Sequence, residues 1–250
     1  MASIRNIRLY IDCDLIISSN IELDDMKSHY LCNVMRCTQG ENIKCFNSQD
    51  GEFLCEIQNI NRKSTTIKVL QQIKTPSLES DIWLIFAPLK KDKTDFVIEK
   101  AVELGVSKII PVITQHTNSE KIKVERYKQQ AIEAAEQCER LSIPQISTAK
   151  SLTDLLTEWN KERVLFFMNE QRNGQDAITT FTKYANKPAA ILIGPEGGFS
   201  TDEIAKISAQ DFVKNISLGP RILRAETAAT ASLAVWQSCV GDWKKSKENL

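Results

Sequence analysis

The sequence predicts an α/β chain in two parts: a small β-rich domain, then a larger domain of alternating strands and helices. Three observations predict it. Strand-favouring stretches crowd the first part of the chain, to about residue 73. From Asp81 onward, short apolar runs alternate with helical patterns, as in a parallel sheet covered by helices. One such run, Ala189-Ala190-Ile191-Leu192-Ile193, ends in the loop Gly194-Pro195-Glu196-Gly197-Gly198-Phe199-Ser200. Strand ends of this kind are where α/β proteins place ligands.

In the first domain, set at 1–74, residues 7–12, 42–46, 53–60 and 65–73 read as strands, rich in β-branched residues and partly alternating. A helix-like stretch at 23–35 interrupts them, and Asp50-Gly51 supplies a turn between two strands. A small β-barrel is the architecture that fits. Thr75-Pro76-Ser77 opens a linker over 75–80, and the second domain occupies 75–250. Its strands are expected at 82–87, 108–113, 164–168, 189–193 and 216–218. Gly105 closes the first helix. Val124, Tyr127, Ala131, Ala134, Ala135, Cys138 and Leu141 form one apolar stripe on a second helix. Ser151 with Asp154 starts a helix over 152–159, and Ser200 with Glu203 has the spacing of a capping box. Phe166 and Phe167 read as core.

Composition narrows the class. The 250 residues are 42% hydrophobic and 26% charged, as in globular proteins. Lys plus Arg and Asp plus Glu both total 32, so bulk charge would not hold this protein on RNA. Local basic groups exist: Lys90, Lys91 and Lys93; Lys121, Lys123, Arg126 and Lys128; Lys244, Lys245 and Lys247. Each taken singly is more often a solvated face. No apolar stretch has the pattern of a signal peptide or membrane span, so a cytoplasmic protein with reduced thiols is expected. The seven cysteines form no C-x-x-C pair, and no metal site is expected. Only His29 and His116 are present and there is no G-x-S-x-G, which argues against a Ser-His-Asp hydrolase.

The glycine loop fits neither the dinucleotide nor the P-loop pattern, and acidic Glu196 inside it argues against a phosphate cradle. A second junction follows the run Asn215-Ile216-Ser217-Leu218: Gly219-Pro220-Arg221-Ile222-Leu223-Arg224-Ala225-Glu226-Thr227 leads into a helix of small residues. Two arginines and a glutamate at a second strand-to-helix junction favour one site shared by both loops.

These stretches together resemble the RsmE family of SPOUT-class RNA methyltransferases, which methylate N3 of a uridine in small-subunit ribosomal RNA. Lys93-Thr94-Asp95-Phe96 through Glu103-Leu104-Gly105-Val106, followed by Ile109-Ile110-Pro111, resembles its signature helix and strand. Glu136-Gln137, Arg140 and Pro144 fit a further family segment, and His29-Tyr30-Leu31 with Val34-Met35-Arg36 and Gly40 resembles its RNA-binding domain. After the strand ending near Thr114 the family shows Glu-Arg-Ser; here the chain reads Gln115-His116-Thr117.

The resemblance implies a PUA-like barrel, a trefoil-knotted SPOUT domain, a homodimer formed through the knot, S-adenosylmethionine as cofactor and the 30S subunit as partner. It implies cofactor contacts from Phe167, Met168, Ile193, Gly194, Pro195, Glu196, Gly197, Gly198, Leu218, Gly219, Arg221, Ile222 and Leu223. RNA contacts are expected from His29, Arg36, Lys90, Lys93 and His116, with His29 equally readable as a core histidine. Arg224 is the candidate for holding the deprotonated uracil, because guanidinium stays cationic and offers a planar fork. Glu226 is either a base, an orienter of Arg224 or a helix cap, and the general base stays unassigned. Among rivals, a noncatalytic RNA-binding factor is disfavoured by the complete loop motifs; a ribose 2′-O-methylating SPOUT enzyme stays open.

Overall fold

A computed structural model of the chain describes residues 4–77, 79–117, 122–171 and 174–244. Lys121, Lys245 and Lys247 of the basic groups lie outside the described residues. The chain divides into two compact units, Met1–Leu78 with Ala135–Ile143, and Glu79–Ala134 with Pro144–Leu250. Residues 135–143, which a division at 74/75 leaves in the second part, therefore pack with the first.

The first unit holds β1 (Ile4–Tyr10), β2 (Asn20–Leu23), α1 (Asp25–His29), a π-helical turn (Tyr30–Val34), β3 (Asn42–Asn47), β4 (Gly51–Ile60) and β5 (Thr65–Lys74). Hydrogen bonding runs β1-β3-β4-β5-β2, parallel between β1 and β3 and antiparallel elsewhere. In these terms the expected barrel is a five-stranded sheet with β1 and β2 as its edges. Alternate residues of β4 and β5 turn inward: Phe53, Cys55 and Ile57 on one, Ile67 and Val69 on the other, packed on Leu9, Leu31 and Ile43. Cys37, Cys45, Cys55 and Cys239 are buried, as small hydrophobes would be, whereas Cys13 and Cys138 are exposed. The stretch at 23–35 is no continuous α-helix. Asp24 caps α1 by accepting from Lys27 N, and Met35 N then bonds Tyr30 O in the wider π pattern.

Buried Arg8 fastens residues 135–140 to this sheet. It pairs with fully buried Glu52 and donates to Ala135 O (2.7 Å), Glu136 O (3.1 Å) and Arg140 O (3.2 Å). Glu136 Oε1 accepts from Tyr10 N at 3.0 Å. The Glu-Gln…Arg segment thus supplies a fork of carbonyls at a helix end, which suits a guanidinium. Arg8→Lys keeps one positive charge beside Glu52 but cannot reach all three carbonyls. It is expected to cost about 2 kcal/mol, read as a shift of the urea midpoint.

The second unit comprises β6 (Ile82–Phe86), α2 (Lys91–Glu103), β7 (Lys108–Ile113), α3 (Val124–Cys138, its last turn counted with the first unit), β8 (Gln145–Ile146), β9 (Lys150–Ser151), α4 (Leu152–Thr157), β10 (Val164–Met168), β11 (Gln175–Asp176), α5 (Ala177–Lys183), β12 (Ala189–Ile193), α6 (Thr201–Ser208), β13 (Val213–Ser217), α7 (Ala225–Cys239) and a 3-10 turn (Asp242–Lys244). The sheet is parallel throughout, in the order β11-β13-β10-β12-β6-β7-β8, with β9 beside β7. Every residue of β10 and β12 is buried, because helices cover both faces. The chain leaves β6 toward β7 but leaves β12 toward β13 on the opposite side. The strand order therefore reverses at β12, and a crevice opens at the carboxyl ends of β10 and β12. Among the described residues no helix is long and apolar enough to cross a membrane.

Candidate active site

The glycine loop begins where β12 ends. Gly198 N bonds Pro195 O at 3.0 Å, and Gly198 holds φ +70°, a left-handed turn that suits glycine. Gly194 lies so close to the Phe199 ring that a Cβ there would sit 2.6 Å from it. Phe199, buried, stands edge-on to Phe167 at 5.2 Å and anchors the loop in the core. Beyond it the capping box is complete: Glu203 N to Ser200 Oγ at 3.3 Å, Ser200 N to Glu203 Oε2 at 2.9 Å. Glu203 Oε1 also accepts from Gln115 N at 2.8 Å, and His116 Nδ1 lies 3.1 Å from Gly198 O. The turn after β7 thus braces the glycine loop.

The second loop follows β13. Gly219 takes φ +103°, and Arg224 is the N-cap residue of α7, with Ala228 N bonding its carbonyl at 2.8 Å. The Arg224 side chain is exposed and makes no hydrogen bond or ion pair among the described residues. Glu226 lies in the first turn of α7, where a negative charge suits the helix dipole.

The two loops face each other across a cleft of about 420 Å³. One wall is Ile193, Gly194, Pro195, Glu196 and Phe199; the other is Ile222, Leu223, Arg224, Ala225, Glu226 and Ala228. Met168, the last residue of β10, and Glu170, just beyond it, close a third side, with Lys93 from the first turn of α2. A smaller recess continues past Glu170, lined by Leu218, Gly219, Arg221, Ile222 and Leu223. Lys93 Nζ lies 2.5 Å from Glu196 Oε1 and 3.9 Å from Glu226 Oε1. The other Glu226 oxygen, Oε2, is buried without a hydrogen-bond partner.

The comparisons with known proteins meet this geometry. An RNA methyltransferase domain family matches residues 76–237, and an RNA methyltransferase PUA domain family matches residues 23–70. The ribosomal RNA small subunit methyltransferase E of Rickettsia conorii is 37% identical over 229 residues, covering 91% of this chain and 93% of that protein. The chain belongs to the ribosomal RNA small subunit methyltransferase E family. Its member in Bacillus subtilis is 32% identical, covering 82% of this chain and 85% of its own length. The family member from Neisseria gonorrhoeae, solved bound to S-adenosyl methionine, superposes with a TM-score of 0.86 at 26% identity, covering 95% of this chain and 99% of that one. A methyltransferase from Legionella pneumophila, solved with bound cofactor SAM, gives 0.84 at 30% identity, covering 95% and 99%. A PUA-like N-terminal domain with an α/β methyltransferase domain is therefore this chain's architecture.

Within that family frame, several residues sit differently from their sequence-based expectation. Phe167 is not on the cleft wall; it is 1% exposed and packs in the core, leaving Met168 to face the opening. Gly197, exposed, and Gly198, buried, are not among the residues that line the cleft. Lys93, expected to face RNA, lines the cleft and is paired to the glycine loop. Glu226 has Lys93 rather than Arg224 as its near cation. His29 is exposed, which removes the core-histidine alternative, and Arg36 is exposed at φ +52°. Lys90, exposed, is the N-cap residue of α2, and His116 lies behind the glycine loop. In the basic groups, Arg126 pairs with Asp95 and Lys128 with Glu125, so part of that charge is neutralised. Sequence reasoning missed Glu170 and Phe199. Their signal was adjacency: Glu170 is two residues beyond β10, and Phe199 is inside the glycine loop itself.

Proposed function

We propose that this protein transfers a methyl group from S-adenosylmethionine to N3 of a uridine in small-subunit ribosomal RNA, acting on the assembled subunit. The observation that carries the reading is the convergence of both loops on one cleft, with Arg224 and Glu226 on the same wall. The cleft suits the cofactor: about 420 Å³ lies in the range of small-molecule sites, and Glu170, Glu196 and Glu226 complement a cationic ligand. The unpartnered Glu226 Oε2 is an acceptor awaiting a donor. Met168, Ile193, Gly194, Leu223 and Ala228 would hold the adenosine and methionine portions by backbone and apolar contact. When bound, S-adenosylmethionine supplies an electrophilic methyl group on a sulfonium.

The chain's own residues prepare the acceptor. Uracil N3 carries an imide proton, and its loss spreads negative charge over the two flanking carbonyl oxygens. Arg224, exposed and unpaired, presents a guanidinium fork to that charge. The Glu226 carboxylate, on a wall fixed by the first turn of α7, is the acceptor for the N3 proton. The target uridine must be unpaired, because its Watson–Crick edge is the reacting edge. His29 and Arg36 on the PUA-like unit and Lys90 at the start of α2 are assigned to RNA contact. A trefoil knot and a homodimer formed through it belong to the same reading; the order β13-β10-β12-β6, in which consecutive strands are separated, supports a crossing chain.

Purified protein should move labelled methyl groups from S-adenosylmethionine to small subunits from cells lacking it, and far less to protein-free RNA of the same origin. No transfer to either would refute the reading.

A further inference from the structure

Among the described residues, Lys93 is the one charged residue of the cleft to which the mechanism above gives no task. It projects from the first turn of α2 and meets carboxylates from two other elements: Glu196 of the glycine loop at 2.5 Å, and Glu226 of α7 at 3.9 Å. The first distance is a charge-assisted hydrogen bond and the second an ion pair. An ammonium is a compact charge with three donors, so it serves two carboxylates at once where a planar guanidinium fork favours one. The contact engages only one Glu226 oxygen. Oε2, buried, keeps its acceptor capacity whole.

A buried carboxylate oxygen without a partner is costly in a folded protein, and such groups point to a ligand that completes them. We propose that Lys93 is a positioning residue for methyl transfer: by bridging Glu196 and Glu226 it fixes the Glu226 carboxylate on the cleft wall, where it accepts the proton of the reacting base. The inference rests on the proton-acceptor reading of Glu226. It replaces the expectation that Lys93 contacts RNA, and the two differ in what they predict. A phosphate contact acts on RNA affinity, whereas a positioning contact acts on the rate once RNA is bound. Because the Lys93 side chain is 34% exposed, its pairs contribute little to stability, so its loss should leave the fold intact.

The test is single-turnover methyl transfer at saturating cofactor and small subunits, for Lys93→Met, Lys93→Arg, Glu226→Gln and the double variant Lys93→Met/Glu226→Gln. Cofactor affinity by calorimetry and a thermal melt are measured on the same samples. Lys93→Met is expected to lower the single-turnover rate about a hundredfold, the order that misplacement by an ångström costs. Cofactor affinity, the KM for subunits and the melting temperature should stay near parental, and Lys93→Arg, which keeps the charge but favours one carboxylate, should recover only part of the rate. In the Glu226→Gln background, removal of Lys93 should cost little more, since the group it positions is already disabled. A parental rate for Lys93→Met, a loss confined to the KM for subunits or to cofactor affinity, or an undiminished loss in the Glu226→Gln background overturns the proposal. A parental rate for Glu226→Gln instead removes the proton-acceptor reading beneath it, and the proposal with it. A slow Glu226→Gln beside a parental Lys93→Met removes only the role of Lys93.

Discussion

Arg224→Lys is expected to slow single-turnover methyl transfer by about a hundredfold to a thousandfold, the usual cost of losing one preorganised donor to developing charge. Lysine keeps the positive charge but loses the planar, preorganised donors that a guanidinium offers to the developing charge. The structure separates this from a stability effect. Arg224 is exposed, its side chain makes no hydrogen bond or ion pair among the described residues, and only its backbone serves α7. The melting temperature should therefore hold, and calorimetric affinity for S-adenosylmethionine should change little. A parental single-turnover rate would remove Arg224 from the mechanism and make Arg221, on the adjoining recess, the next residue to test.

Gly198→Val is the second large effect, and it falls on binding. At φ +70° a β-branched residue is strained by roughly 1–2 kcal/mol, and its Cβ would overlap the Glu170 carboxylate on the cleft wall. The free protein relieves this by opening the turn that Gly198 N closes onto Pro195 O. Cofactor binding must then restore the turn against the strain. That strain of roughly 1–2 kcal/mol corresponds to an affinity about fivefold to thirtyfold weaker. Gly197→Val should be milder, since its Cβ would meet the His116 Cβ at 3.3 Å without a positive φ. Calorimetry on the folded variants checks the order. An unchanged affinity for Gly198→Val would show that this turn does not shape the cofactor site.

What the sequence disclosed was what local physics encodes. The buried strands β7, β10 and β12 follow from unbroken apolar runs, and the α6 capping box from a three-residue spacing. The short strands β8, β9 and β11, two residues each, carry no periodicity to read. Phe167 and Met168 illustrate a different limit. In a strand buried on both faces, alternation cannot say which residue meets the core and which the cleft. Lys93 could be read only as one of three neighbouring lysines, because its partner Glu196 lies 103 residues away and the sheet alone brings them together. The same holds for Arg8, whose carbonyl acceptors are 127 to 132 residues distant.

The most direct test of the account is the identity of the methylated nucleoside. Small subunits from cells lacking the protein are incubated with it and S-adenosylmethionine, the RNA is digested, and the nucleosides are resolved by mass spectrometry. The account predicts one new product, uridine methylated at N3 of the base, appearing with the parental protein and strongly diminished with Arg224→Lys. A methyl group on the ribose, or on a base other than uracil, would contradict it.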